Sequence, residues 1–287
     1  MARPRRIEPE PQALHPLPEG THPLLRQGSE AVAYHIPVAP LADDASPLKT
    51  TISLPRRSAW TSGLHFHASH TEYLRLVKGA IFVQIGGQTK LISALKGGEV
   101  DSSSGELLSE GLVVEVPRFA RHNWGRLEHY NKLYRSRNQG ISKQWSLPED
   151  WDEEAVVEEW TDPIDVGKPL FFWNLNGIIT TPSDSVLPRR QRMARSFLGG
   201  LWIDLQLFVV FWELDNWPVF VDLRKQLSLR SSQGQLNAMT DAAEVVASFI
   251  ALLFARIIGI LLGLKAVSQQ RTPDALWEAY KKSPRDL

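Results

Sequence analysis

The chain contains no cysteine, which excludes disulfides, thiolate metal sites and cysteine nucleophiles and leaves the redox compartment undetermined. Net charge is also absent: 32 lysines and arginines balance 32 aspartates and glutamates, so no overall field draws the protein to nucleic acid. The first twenty residues, MARPRRIEPEPQALHPLPEG, carry charge but no apolar segment, and no Asn-x-Ser/Thr acceptor occurs. The expectation is an intracellular protein, cytoplasmic or attached to an internal membrane. Sequence signatures of several enzyme classes are missing as well. There is no G-x-S-x-G elbow, no G-x-G-x-x-G or phosphate loop and no H-E-x-x-H helix, so hydrolase, dinucleotide, nucleotide and zincin readings have no support.

What is present divides into three parts. Residues 1–30 are proline-rich and aperiodic, and are read as a flexible arm. Residues 31–145 change to short apolar runs broken by Gly, Pro, Ser and Asp: AVAYHIPV, TTISL, EYLRLVKG, AIFVQIGG, KLISAL, GLVVEVP and HYNKLYR. Strands at this spacing predict an all-β sandwich or barrel. Gly86-Gly87 is read as a hairpin turn between two of them. Residues 146–287 begin with an acidic patch, EDWDEEAVVEEWTD, read as a solvated linker, and continue into long apolar segments of helical length. One of these, 245–264, has the length to cross a hydrocarbon core, with Arg256 near its middle. Burial in protein, against FLGGLWIDLQLFVVFWEL (197–214), is the equal alternative.

The chemistry is concentrated in GLHFHASHTEYLRLVKG (63–79), which spends three of only eight histidines beside Glu72. His65 and His67, two residues apart, project from one face of an extended segment. Ala68, Ser69, His70 and Thr71 let the chain turn so that Glu72 reaches the same cavity from the following strand, with Leu74 and Leu76 inward and Tyr73, Arg75 and Val77 outward. His70 is read as a surface residue or as backing for a ligand. Tyr73, Trp124 and Arg126 are weighed as pocket-lining residues against packing roles.

The spacing H-x-H-x4-E-x6-G from His65 to Gly79, followed by G-x5-P-x4-H from Gly111 to His122, resembles the paired motifs of the cupin superfamily. The resemblance implies a double-stranded β-helix (jelly-roll) barrel over the all-β core, with a mainly α-helical C-terminal extension. It also implies that His65, His67, Glu72 and His122 hold one divalent transition metal, for which imidazole and carboxylate donors admit Fe, Mn, Zn, Ni or Cu. Three positions depart from the family pattern: Ala59, Phe119 and Arg126 stand where glycine, glycine and asparagine are usual. The stretch FFWNLNGII (171–179) and the helices after it look like the extension of single-barrel cupins from fungal secondary-metabolite clusters.

The function expected on this basis is that of a metal-dependent oxidoreductase acting on a small organic molecule. A small-molecule-binding barrel without turnover and a cupin isomerase or decarboxylase are the alternatives. Expected partners are the small-molecule substrate, a membrane through 245–264 and a second copy of the chain; nucleic acid is not among them.

Overall fold

The structure is a computed structural model that describes residues 8–41, 47–137, 146–180, 187–226 and 234–282. The first part of the expected arm and the expected barrel boundary at 145 lie outside the described residues. Strands are numbered in chain order. One antiparallel sheet has six strands in the order β1 (Thr21–Arg26), β2 (Val32–Pro37), β3 (Thr50–Leu54), β12 (Ala155–Asp162), β5 (Thr71–Lys78) and β10 (Val113–Val116). The other has seven: β13 (Trp217–Pro218), β4 (His65–Phe66), β11 (His122–Arg126), β6 (Ala80–Ile85), β7 (Gln88–Ser93), β8 (Gly98–Val100) and β9 (Leu107–Glu110).

The inner faces of both sheets share one core, with Ile36, Ile52, Leu74 and Leu76 from the first meeting Ile81, Val83 and Trp124 from the second. This is the packing that two half-apolar sheets require. In β5 the period-two pattern holds as expected. Glu72, Leu74 and Leu76 are buried, whereas Arg75 and Val77 are exposed and Tyr73 is half-buried, stacked on Trp160 of β12 at 5.5 Å. The Gly86-Gly87 hairpin also forms, with Ile85 opposite Gln88.

Three stretches differ from their sequence reading. Thr21–Arg26, inside the presumed arm, pairs with β2 as an edge strand, a position where Pro23 is tolerated because its missing N–H need not serve the ladder. The acidic segment 155–162 is an interior strand, paired on both sides by β3 and β5. Its charges are sorted by the pleat: Glu158 points outward to Lys49 (3.1 Å) and Arg75 (2.9 Å), while Glu159 is buried. Composition alone hides this alternation. HYNKLYR belongs not to a strand but to helix α1 (Leu127–Arg137), whose Leu127 and Tyr130, three residues apart, face the barrel, with Tyr130 stacked on Phe82 at 4.9 Å.

The C-terminal region is mainly helical, as expected: α2 (Gly167–Ile179), α3 (Arg189–Leu198), α4 (Leu201–Glu213), the single turn α5 (Leu223–Gln226), α6 (Gly234–Leu262) and α7 (Asp274–Lys282). α2 caps the open edge of the barrel with Leu170, Phe171 and Phe172, all in the common core. α4 packs on α6, and β13 adds a short strand to β4.

Gly79, the last residue of the first sequence block, turns β5 into β6 at φ +73°, and a Cβ there would meet the Glu154 carbonyl oxygen at 2.3 Å. Gly86 has a similar φ of +60° with nothing within 4 Å. Gly86→Ala is therefore expected to cost only the left-handed backbone preference, about 1–2 kcal/mol. Gly79→Ala is expected to cost clearly more, because the strand next to it must also shift. Urea midpoints of the two variants measure the difference.

Candidate metal centre

His65 and Glu72 belong to opposite sheets, β4 and β5, joined by the tight passage through Ala68, Ser69 and His70. His122 begins β11 and lies directly opposite His65 in the ladder. His67, just past the end of β4, completes the group. All four side chains are buried, and one ligand atom from each lies within 4.8 Å of the others. The four residues expected from the sequence are thus brought together, with the carboxylate coming from the facing wall.

Each imidazole is aimed by its own Nδ1–H. His65 donates to the Gly63 carbonyl and His122 to the Ala120 carbonyl, both at 2.9 Å, and His67 donates to the carbonyl of Asp215. A neutral imidazole that donates from Nδ1 presents a lone pair at Nε2. Those lone pairs face the carboxylate: His122 Nε2 is 2.8 Å and His67 Nε2 3.4 Å from Glu72 oxygens. His67 Nε2, His122 Nε2 and Glu72 Oε2 are all buried without a hydrogen-bond partner. Buried acceptors pointed at one another are costly unless a cation lies between them, and a transition metal fits this donor set. Burial first, and then the neighbouring rings, hold the pKa of His65 well below its ordinary value; burial also lowers that of His67. Both are therefore in the neutral form that a metal requires.

Phe119, where glycine was usual, takes the left-handed conformation anyway, at φ +61°. Its N–H donates to the His67 carbonyl at 2.7 Å and its ring stacks on Phe66 at 6.2 Å. Those contacts tie the second block to the first and offset the strain of a left-handed non-glycine residue. Arg126 is wholly buried away from the centre, bonded to Glu128 and to the carbonyls of Asp152 and Glu153. Trp124 does serve the site: its indole N–H donates to Glu159 at 2.7 Å.

Sequence reasoning missed four contributors. Lys168, in the first turn of α2, is buried with its ammonium on Glu72 Oε1 and 3.3 Å from Glu159. Burial opposes its charge, but Glu159 and Glu72 hold its pKa above the ordinary value, while burial pushes that of Glu159 up. Two carboxylates share one ammonium here, so a second cation is electrostatically welcome. A lone lysine opening the apolar run KPLFFW was the available signal for Lys168; Glu159 was hidden in the acidic patch.

Asp215 is the third omission. Its carboxylate accepts the N–H groups of Ala68 (2.8 Å), Ser69 (2.9 Å) and His70 (3.1 Å) and the His70 ring at 2.7 Å. His70, bonded also to Asp165 at 3.1 Å, is a clasp between the metal loop and the helical region. Burial opposes its charge, yet the two aspartates raise its pKa to about 9.

Tyr34 is the fourth omission. With Trp60, Phe171 and Phe172 it walls a cavity of about 170 Å³ that reaches His65, Lys168 and Glu159. A wider groove of about 910 Å³, bordered by Trp173, Gln191 and Arg271, touches none of the four ligands.

No family model and no curated protein matches the chain. Among solved structures, KdgF from Halomonas sp. is similar at 12% identity and a TM-score of 0.27, over 48% of this chain and 84% of its own. A cupin-2 domain protein from Rhodospirillum rubrum is similar at 12% identity and a TM-score of 0.30, over 54% and 78%. The capsular polysaccharide assembling protein CapF from Staphylococcus aureus is similar at 14% identity and a TM-score of 0.29, over 51% of this chain, which spans only 33% of that protein. These likenesses are remote, and the fold rests on the strand pairing itself. The two antiparallel sheets, with three imidazoles and a carboxylate between them, form the jelly-roll barrel anticipated from the sequence.

Two outcomes are expected. Asp215→Ala, which frees the loop carrying His67, weakens metal binding by about 10- to 100-fold, as read by competition with a chromophoric chelator. Because burial holds His65 and His67 below the ordinary 6.5, metal is retained at neutral pH, and protons displace it only on acidification below that value. Metal content after dialysis across a pH series measures this.

Proposed function

We propose that the protein is a metal-dependent enzyme of cupin type, an oxidoreductase that acts on a small oxygenated organic molecule in secondary metabolism. The observation that carries this reading is the buried convergence of His65, His67, Glu72 and His122 on one point. These residues would hold the ion, which when bound supplies Lewis acidity and, if it is redox-active, reactivity toward dioxygen.

The surrounding residues prepare a substrate for that chemistry. Tyr34, Trp60, Phe171 and Phe172 give a small molecule an apolar wall beside the metal point. Lys168 holds a proton at Nζ on the wall of the same cavity, where it faces a substrate oxygen that carries or develops negative charge. Glu159, fixed by the Trp124 indole, keeps that ammonium in place. The helical cap from α2 onward supports kinship with the single-barrel cupins of fungal metabolite clusters. We also assign the 245–264 segment to membrane association, which would keep the barrel near apolar intermediates at an internal membrane.

The native protein is expected to carry about one transition metal per chain, and His67→Ala to lose both metal and turnover. Elemental analysis, with oxygen uptake in the presence of phenolic and polyketide-like compounds, tests both points. Metal-free protein with full activity would remove the reading, and tight ligand binding without product would leave a binding barrel in its place.

A further inference from the structure

The helical region exposes an apolar surface that the barrel does not use. α6 has two stripes. Glu244, Ser248, Leu252, Ala255 and Gly259 recur every three or four residues and are buried. Glu244 pairs with Arg121 of the barrel at 2.6 Å, and Ser248 Oγ donates to the Pro218 carbonyl at 2.7 Å. Gly259 lies against Val209 of α4, so that a Cβ there would meet its Cγ2 at 2.6 Å. The second stripe, Val246, Ile250, Phe254, Ile257 and Leu261, is exposed and extends for about 22 Å at the helical rise. Arg256 is the only charge in 245–264, and it lies over the Trp212 ring at 5.2 Å.

α3 prolongs this surface. It is held across the end of α6 by Gln191, whose amide donates to the carbonyls of Leu262 and Gly263 at 3.2 Å. Its Phe197 is 90% exposed and its Met193 64%, and Leu201 at the start of α4 is 63% exposed. The same ten-residue helix carries Arg189, Arg190, Arg192 and Arg195, with no acidic residue. Among the described residues none of the four enters an ion pair.

We propose that this face, formed by α3, the start of α4 and the exposed stripe of α6, docks on an anionic lipid bilayer with α6 lying in the interface instead of crossing it. The proposal rests on the membrane association assigned above to 245–264 and specifies its mode. A spanning α6 would have to leave the barrel, parting the buried Glu244 carboxylate from the Arg121 guanidinium and leaving Arg121 with Asp222 alone. A helix that lies flat keeps that pair, and hydrocarbon covers only the stripe that the protein leaves bare. The arginines of α3 supply the charge complementarity, since guanidinium groups pair bidentately with lipid phosphates. The same unbalanced cationic rim works against pairing with a second copy of the chain. A cavity of about 580 Å³ runs from His67 and Lys168 to Trp212, Phe249 and Arg256 on the flank of α6, so an apolar molecule taken from the lipid has a route toward the metal centre.

Sedimentation of the full-length, metal-loaded protein with phosphatidylcholine vesicles, with and without phosphatidylglycerol, tests the proposal. The protein is expected to sediment with the anionic vesicles only, less so as salt rises, and to be released by alkaline carbonate. The triple variant Arg189→Gln, Arg190→Gln, Arg192→Gln, changed only at exposed positions, is expected to lose about 100-fold in partitioning. Ile257→Asp, which puts a charge in the exposed apolar stripe, is expected to lose binding to the anionic vesicles with all four arginines in place. Equal binding to neutral vesicles, an unaffected triple variant, resistance to carbonate, or a stable dimer that ignores vesicles would each overturn the proposal. Metal content measured on the same samples separates this surface from the proposed chemistry: metal-loaded unsubstituted protein that ignores the anionic vesicles counts against the surface alone, and unsubstituted protein that binds them but holds no metal counts against the centre alone.

Discussion

A carboxylate sealed between two apolar sheets has to be met by positive charge, and much of this molecule can be understood as the means by which Glu72 is satisfied. From one side Lys168 supplies an ammonium. From the other, His67 and His122 present lone pairs that need a cation before they can face a carboxylate at all, with His65 beside them. The ammonium is in turn shared with Glu159, which is held by the Trp124 indole. The chain therefore buries a connected polar cluster in an apolar barrel, and such a cluster is tolerable only when every member has a partner. That requirement explains why α2 caps the barrel with its lysine turned inward and why an acidic segment serves as an interior strand.

The metal point is defined by opposition. β4 and β11 bring two histidines from one sheet, and β5 brings the glutamate from the other, so the distance between sheets sets the size of the site. The passage between them is short, and its backbone N–H groups would be left unpaired without Asp215. Phe119 does the corresponding work for the second block, accepting a left-handed backbone to hold the His67 carbonyl. Both supports bear on His67, the ligand with the least secondary structure of its own.

The four converging side chains were legible because two constraints act locally in sequence. Histidines two apart share a face, and a strand pleat fixes which of the residues after Glu72 point inward. Strand runs were legible for the same reason, since alternation leaves a visible trace. What escaped was whatever depended on distant pairing. In 155–162 the acidic composition outweighed a period-two pattern that only β3 and β5 reveal as buried. In 127–137 a pair of aromatic and aliphatic residues suits a strand or a helix until the barrel wall that receives them is known. Lys168 lies 96 residues from Glu72 and Asp215 lies 145 from His70, and no local pattern announces such contacts. The apolar segment 245–264 carried two meanings at once, burial in protein and a membrane, and the structure shows one side of α6 buried and the other exposed.

The carbonyl that orients His67 belongs to a residue 148 positions later in the chain. The aim of one candidate ligand is thereby tied to the docking of the helical region on the barrel, since Asp215 stands just past the end of α4. A change that loosens that docking would unsettle the donor set without altering any of its four side chains.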